Sequence, residues 1–161
     1  MGGDDVSYGC APGGGKTWRQ AMLEEVGEKL DPARTHFLGK VAYADYKRVL
    51  QLSAAHLYLT YPFVLSWSML EAMATGYVVV GSDIAPVNEV IEDGVNGLLV
   101  GIFDVEQLVS RTVETLEMAP HRRGRLTQAA KQRASVSGIG KGTSALEALC
   151  AGECTAERKR A

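Results

Sequence analysis

The sequence predicts an α/β fold of the Rossmann-like kind, a three-layer α/β/α arrangement in which helices cover both faces of a parallel sheet. Strand patterns alternate with helical patterns of roughly ten residues, the order expected of repeated βα units. The run Tyr-Val-Val-Val-Gly-Ser at 77–82 is β-branched without alternation, which is typical of a strand buried on both faces. Ligands of such sheets bind beyond the carboxyl ends of the strands, beside helix N-termini.

Three strands and two helices are expected in the first part of the chain. The strands are placed at 5–8, 35–39 and 56–61, and the second of them, Thr-His-Phe-Leu-Gly, has the pattern of a buried strand. Thr17 is placed to cap the first helix, although no Glu stands at its N3 position. The stretch 43–55 has apolar residues at helical spacing and is expected to form the second helix.

The middle of the chain has clear signals for the ends of its elements. Ser66 or Ser68 can cap a compact helix, and Gly76 ends it. The following elements are the strand at 77–82, a helix at 86–92, a turn at 93–97 and a strand at 98–100.

The last part of the chain is predicted to be helical. Asp104 can cap a helix over 105–118, and the basic stretch 121–133 is expected to form a helix on the surface. A single domain over 4–135 is therefore expected. The pattern then fades into a marginal helix and a flexible basic tail over 136–161.

Composition excludes several classes of function. The 161 residues include 46% hydrophobic and 22% charged residues, as in globular domains, and the net charge of −2 argues against a general nucleic-acid binder. No apolar run approaches the ~20 residues of a membrane span, and the start lacks the pattern of a signal peptide, so a cytoplasmic location is expected. The three cysteines, Cys10, Cys150 and Cys154, lack metal-like spacing and are expected to be free thiols.

The stretch 9–17, Gly-Cys-Ala-Pro-Gly-Gly-Gly-Lys-Thr, comes close to a phosphate-binding P-loop. That motif needs Gly where Cys10 stands, and Pro12 removes one of the N–H groups that would curl around a phosphate. The strand ending at Asp83 is the nearest match to the acidic strand that should follow. A turn between strand and helix is therefore the favoured interpretation, and a P-loop NTPase remains the weaker alternative.

A better nucleotide site is predicted at the helix that begins near Ser66. The N–H groups of Ser66, Trp67 and Ser68 stand at a helix N-terminus, where a diphosphate can bind. Glu71 follows in the same helix and could accept hydrogen bonds from two ribose hydroxyls. The alternative is that this carboxylate only favours the helix dipole.

The segment 62–100 resembles the donor-binding half of the retaining glycosyltransferases of family 4, which have the two-domain GT-B architecture. The matching motifs are Leu-Glu-Ala-Met-Ala-Thr-Gly at 70–76, Val-Val-Val-Gly-Ser-Asp at 78–83, Asn-Glu-Val-Ile at 88–91 and Glu-Asp-Gly-Val-Asn-Gly-Leu-Leu-Val at 92–100. The resemblance extends from about residue 6 to about residue 133.

The resemblance implies a donor site for a nucleoside-diphosphate sugar. Glu71 would bind the ribose as the second Glu of the family's paired motif, and the backbone at Ser66, Trp67 and Ser68 would hold the diphosphate. The nucleobase would lie along Gly39, Lys40 and Val41, and Lys16 is a further candidate phosphate contact. The family needs no metal or other cofactor and transfers the sugar with retention to a saccharide or lipid-linked acceptor.

Two departures from the family pattern affect this interpretation. Phe63 stands where the first Glu of the pair is expected, so other groups must recognise the sugar. The acceptor-binding domain would precede residue 1, so we expect an incomplete enzyme that is inactive alone.

Two further hypotheses stay open at this stage. One is a non-catalytic module that keeps the fold for interaction with another protein. The other concerns Arg122, Arg123 and Arg125, which are expected on a solvated face, with contact to anionic lipid at a membrane surface as the alternative.

Overall fold

The chain divides into two compact units. The structure, a computed structural model, describes residues 10–61 and 65–136. The first unit ends at Val49 and the second begins at Leu50.

The first unit begins with a capped helix. Helix α1 spans Trp18–Val26, and a short 3-10 turn, Gly27–Lys29, follows it. Thr17 is the N-cap, as predicted: its Oγ1 accepts from the Gln20 N–H at 3.2 Å, and Gln20 Oε1 accepts from the Thr17 N–H at 2.8 Å. Gln20 thus supplies the N3 side chain of a capping box, a position that Glu or Gln can fill.

The predicted strand at 35–39 is wrong. These residues form no strand, and Phe37 and Leu38 are half exposed. A strand needs a neighbour to pair its backbone N–H and C=O groups, and the described residues 10–49 contain no strand that could provide one. The predicted strand at 5–8 lies outside the described residues. The second predicted helix is confirmed as α2, Tyr43–Leu52.

A parallel sheet of three strands forms the centre of the second unit. The strands β1 (Ala55–Tyr58), β2 (Val78–Ser82) and β3 (Leu98–Val100) lie side by side in that order. Their register pairs Leu57 with Val80 and Val80 with Leu98. Every residue of β2 is buried, which confirms the prediction for this run. Strand β1 ends three residues earlier than predicted.

Helices cover both faces of this sheet. They are α3 (Trp67–Thr75), α4 (Ala85–Asn88), α5 (Val105–Glu117) and α6 (Pro120–Val136), of which α4 is shorter than predicted. On one face, Val78 and Val80 pack with Met118 and Leu126 in the main apolar cluster. On the other, Gly81 approaches Val87 and Ile91 so closely that a Cβ there would lie 3.1 and 3.4 Å from their methyl groups.

Helix α6 is not the purely superficial helix that its basic sequence suggested. It packs against α3 and buries Leu126, Ala130 and Ala134, which follow one another at a spacing of four. The guanidinium of Arg123 donates to the carbonyl oxygens of Ala54 at 2.9 Å and Thr115 at 2.5 Å, so the prediction of a solvated arginine face is wrong at this residue. Small alanines give a weak hydrophobic signal, which is why the buried stripe was missed.

A cluster of ion pairs joins α5 to its neighbours. Glu114 accepts from Arg122 at 2.6 Å and from Arg111 at 3.0 Å, and Arg111 also pairs with Asp93 at 2.9 Å. Burial acts to raise the pKa of Glu114, but the hydrogen bonds from Arg122 and Arg111 outweigh it, so the pKa lies below its ordinary value. None of the helices in residues 10–61 and 65–136 is long and apolar enough to cross a membrane.

Gly76 and Gly124 provide a matched test of the helix assignments. Gly76 ends α3 with a φ of +87°, and an added Cβ would collide with Lys131 Cε, whereas Gly124 lies in open space on α6. We expect Gly76→Ala to lower the free energy of unfolding by about 1–2 kcal/mol, because only glycine adopts this backbone conformation cheaply. Gly124→Ala should raise it by up to ~1 kcal/mol through helix propensity. Urea unfolding measures both, and changes of the same sign would contradict the assignments.

His56 in β1 makes stability depend on pH. Burial lowers its pKa below the ordinary value, so the folded chain disfavours the protonated form. The unfolded chain takes up the proton first, and the free energy of unfolding therefore falls as the pH drops below about 6.5. We expect His56→Gln to lose part of this fall between pH 7 and pH 5, as measured by urea unfolding. His121→Gln, at an exposed position, is the control, and a His56→Gln curve parallel to the wild type would contradict the prediction.

Candidate functional site

The start of helix α3 is built by two serines. Ser66 is the N-cap, with extended backbone, and its Oγ accepts from the Ser68 N–H at 3.3 Å. The two hydroxyl oxygens lie 2.9 Å apart and share one hydrogen bond. The choice between Ser66 and Ser68 left open by the sequence is thus settled in favour of Ser66. Since a pair of hydroxyls has two protons and their mutual bond uses one, the other can be donated elsewhere.

Two hydroxyl groups at the ends of neighbouring strands hold the chain that leads into α3. Tyr58, the last residue of β1, accepts at Oη from the Ser66 N–H at 3.0 Å. Ser82, the last residue of β2, accepts at Oγ from the Thr60 N–H at 2.9 Å. The start of α3 is therefore fixed at the carboxyl edge of the sheet, where ligands of parallel sheets bind.

Of the three N–H groups predicted to face a diphosphate, two already have partners. The Ser66 N–H donates to Tyr58 and the Ser68 N–H to Ser66 Oγ. For the Trp67 N–H, the structure shows no acceptor within residues 65–136 or 10–61. The indole of Trp67 is 56% exposed beside it. An anion at this helix end would meet one N–H group and the serine hydroxyls.

Glu71 lies one turn further along α3. Trp67 and Glu71 stand four residues apart and therefore share a face of the helix. The neighbours Met69, Ala72 and Met73 are buried, while Glu71 is half buried. Ser66, Trp67, Ser68 and Glu71 are thus brought together within two turns. Phe63, the departure from the paired-glutamate pattern, lies outside the described residues.

Two polar residues at the same edge were not among the residues predicted to bind the donor. Asp83 directly follows β2, and its Oδ1 accepts from Asn88 Nδ2 at 2.6 Å, while its N–H donates to the Val100 carbonyl at 2.7 Å. The sequence signal for this pair is an acidic residue directly after a buried strand, because ligands of parallel sheets bind at that edge. Tyr61 and Phe103 add aromatic rings to this edge, with centroids 6.4 Å apart.

The remaining predicted residues lie in the first unit. Gly39 has φ +63, and with Lys40 and Val41 it precedes α2; Lys40 is exposed. Lys16 pairs with Glu24 at 2.5 Å, and both side chains are largely exposed. With the Thr17 hydroxyl engaged in capping α1, the stretch 10–17 has the contacts of a capping turn.

Clusters of metal-ligand side chains and thiols can be described only for residues 10–61 and 65–136. Residues 10–61 and 65–136 hold no group of three His, Cys, Asp or Glu side chains that could bind a metal ion. Cys10 is an exposed free thiol, whereas Cys150 and Cys154 lie outside the described residues.

Solved structures with the same fold place these elements in context. One is HepE from Anabaena, in a complex with UDP and glucose, which is 20% identical to this chain and gives a TM-score of 0.71. The match covers 83% of this chain and 36% of the HepE chain. Sucrose-phosphate synthase from Thermosynechococcus elongatus has 18% identity and a TM-score of 0.72 over 96% of this chain and 37% of its own. The chain therefore spans about a third of each. These likenesses confirm the predicted α/β fold as that of GT-B glycosyltransferases.

Comparison at the level of sequence agrees with the fold. A search of curated proteins finds no match. The family model described as "Glycosyl transferases group 1" matches residues 10–118, which include α3, the sheet and α5. Since this match covers more than half of the chain, the chain belongs to the group 1 glycosyltransferase family.

Proposed function

We propose that this chain is the donor-binding part of a family 4-like glycosyltransferase. The complete enzyme transfers a sugar from a nucleoside diphosphate to a saccharide or lipid-linked acceptor, with retention of the anomeric configuration. The observation that carries the proposal is the family match over residues 10–118, which contains the whole group from Ser66 to Glu71. HepE, of the same fold, was solved with UDP-glucose, which supports a nucleotide-sugar donor here.

The diphosphate is assigned to the start of α3. The Trp67 N–H and the spare hydroxyl proton of the Ser66–Ser68 pair are the donors that support this assignment. The positive end of the helix dipole favours an anion at the same place. Lys16 stays a candidate phosphate contact, since its exposed pair with Glu24 is of the kind that contributes little stability and exchanges readily.

The nucleoside is assigned to Glu71 and to the segment before α2. In this proposal Glu71 accepts hydrogen bonds from the ribose hydroxyls, and Gly39, Lys40 and Val41 lie along the base. The left-handed backbone of Gly39 supports a close approach of main chain and ligand there. Phe63 replaces the first Glu of the family pair, so other groups recognise the sugar.

The chemistry in this proposal depends on position rather than on a protein nucleophile. The leaving diphosphate assists removal of the acceptor's proton, and the chain binds and orients the donor without a metal or other cofactor. A domain over 4–135 carries this role in the cytoplasm, followed by the tail over 136–161. Contact of the complete enzyme with a membrane surface is part of the proposal where the acceptor is lipid-linked.

An exposed apolar stripe on α5 supports a larger enzyme. Four side chains that recur every three or four residues are each 44–68% exposed: Val105, Val109, Val113 and Leu116. Arg111 of the same helix lies outside this stripe and pairs with Asp93 at 2.9 Å. Monomers rarely expose contiguous apolar patches above a few hundred Å². We propose that further polypeptide of the enzyme, which includes the acceptor-binding domain, covers this surface.

Glu71→Gln tests the nucleoside assignment. We expect UDP to bind the variant about 10- to 100-fold more weakly, because a hydrogen bond to a charged group contributes about 1.5–3 kcal/mol. Isothermal titration calorimetry measures this, with ADP and GDP titrated in parallel to identify the base.

The matched control is Glu117→Gln, an exposed glutamate on α5, which should bind UDP as the wild type does. Titration with 2′,3′-dideoxy-UDP isolates the ribose contact, since the loss should disappear with this ligand. An equal loss for both nucleotides would remove Glu71 from the ribose site. A wild-type chain that binds none of UDP, GDP and ADP would overturn the proposed function.

The isolated chain should bind donor but transfer no sugar. We expect no release of UDP from UDP-glucose in the presence of saccharide acceptors, because the acceptor side of the cleft belongs to the other domain. An assay for released UDP measures this. Turnover by the isolated chain would show that the acceptor site is already present, and absence of transfer by the complete protein would favour the non-catalytic module.

A further inference from the structure

We propose that Tyr58 and Ser82 are positioning residues for the donor diphosphate. This inference rests on the proposed function. Their hydroxyl groups hold the two ends of the connection between β1 and α3 and thereby fix where α3 begins. Neither residue belongs to the group expected to touch the donor, and neither was singled out by the sequence for this role.

The two hydroxyls come from adjacent positions of the sheet. The register pairs Tyr58 with Gly81, so Tyr58 and Ser82 lie one residue apart on neighbouring strands. Both are buried, with 8% and 0% of their surfaces exposed. Buried residues on paired strands have little freedom to move, which makes their hydroxyls fixed points.

Each hydroxyl accepts from a backbone N–H at one end of the connection. Ser82 binds the Thr60 N–H, two residues after β1, and Tyr58 binds the Ser66 N–H, at the cap of α3. The backbone hydrogen bonds between the strands end at this point, so side-chain hydroxyls accept from these N–H groups instead. Residues 59–66 connect β1 to α3, and residues 62–64 lie outside the described part. The described residues Thr60 and Ser66, near the two ends of this connection, are each held by one of the two hydroxyls.

The bond from Ser66 to Tyr58 also determines which groups remain for a ligand. Because the Ser66 N–H donates to Tyr58, the group of Ser66 that can bind a ligand is its hydroxyl. This hydroxyl lies 2.9 Å from that of Ser68. The Trp67 N–H and this pair of hydroxyls are therefore held together at the start of α3. A displacement of about 1 Å at such a site strongly weakens an interaction that depends on aligned donors.

The test compares UDP with uridine. In Tyr58→Phe, which removes one oxygen atom, UDP should bind about three- to tenfold more weakly, the range of a lost or misaligned hydrogen bond. Uridine, which lacks the diphosphate, should bind within about twofold of its wild-type affinity. Ser82→Ala should show the same pattern. Titrations followed by NMR measure both ligands, and thermal unfolding confirms that each variant is folded.

Matched controls separate positioning from general stability. Tyr77→Phe removes a hydroxyl that donates to the Gln51 carbonyl at the amino end of the sheet, and Thr115→Val removes a buried hydroxyl from α5. Both should leave the affinities for UDP and uridine unchanged.

Three results would overturn the inference. Unchanged UDP binding by Tyr58→Phe and Ser82→Ala, when the wild type binds UDP, overturns it alone and leaves the proposed function intact. Equal losses for UDP and uridine assign the hydroxyls to general stability and also overturn it. A wild-type chain without nucleotide binding overturns the proposed function and this inference with it.

Discussion

The burial of strand β2 is the constraint on which the second unit depends. Val78, Val79 and Val80 are 0–1% exposed, and the strand has parallel neighbours on both sides. A strand in this position must be apolar on both faces, and its neighbours must end at the same edge. The apolar cluster with Met118 and Leu126, the close approach of Val87 at Gly81 and the placement of Ser82 all follow from this one element.

The candidate site is a consequence of how the chain leaves this sheet. At the carboxyl edge of the sheet, the backbone hydrogen bonds between strands end. Polar side chains there act as hydrogen-bond partners for the residues that follow. Tyr58 and Ser82 bind N–H groups of the connection to α3, and Asp83 binds the amide of Asn88, the last residue of α4. The same edge therefore offers one fixed helix start with exposed hydroxyls, groups that can bind a phosphate. In a group 1 glycosyltransferase, this arrangement supports the proposed donor-binding role.

Local signals in the sequence predicted much of this structure. The β-branched run of β2, the caps Thr17 and Asp104, and the αL position of Gly76 each depend on residues close in sequence, and each is confirmed. Local patterns also found the residues of α3 that form the candidate site, although their roles toward a donor stay predictions.

The errors arose where structure depends on distant residues. The stretch 35–39 has the composition of a strand but lacks a pairing strand within the described first unit. The inner face of α6 is built of alanines, whose burial depends on contact with α3. The bonds from Thr60 to Ser82 and from Ser66 to Tyr58 join residues 22 and 8 positions apart, so no helical or strand period reveals them.

Hydrogen–deuterium exchange with and without UDP is the most direct test of where the nucleotide binds. We expect UDP to slow exchange most in the peptide spanning residues 66–71, because the Trp67 N–H is covered and the start of α3 is held more firmly. Protection confined to the glycine-rich stretch 10–17, with residues 66–71 unchanged, would contradict it and return the P-loop to consideration.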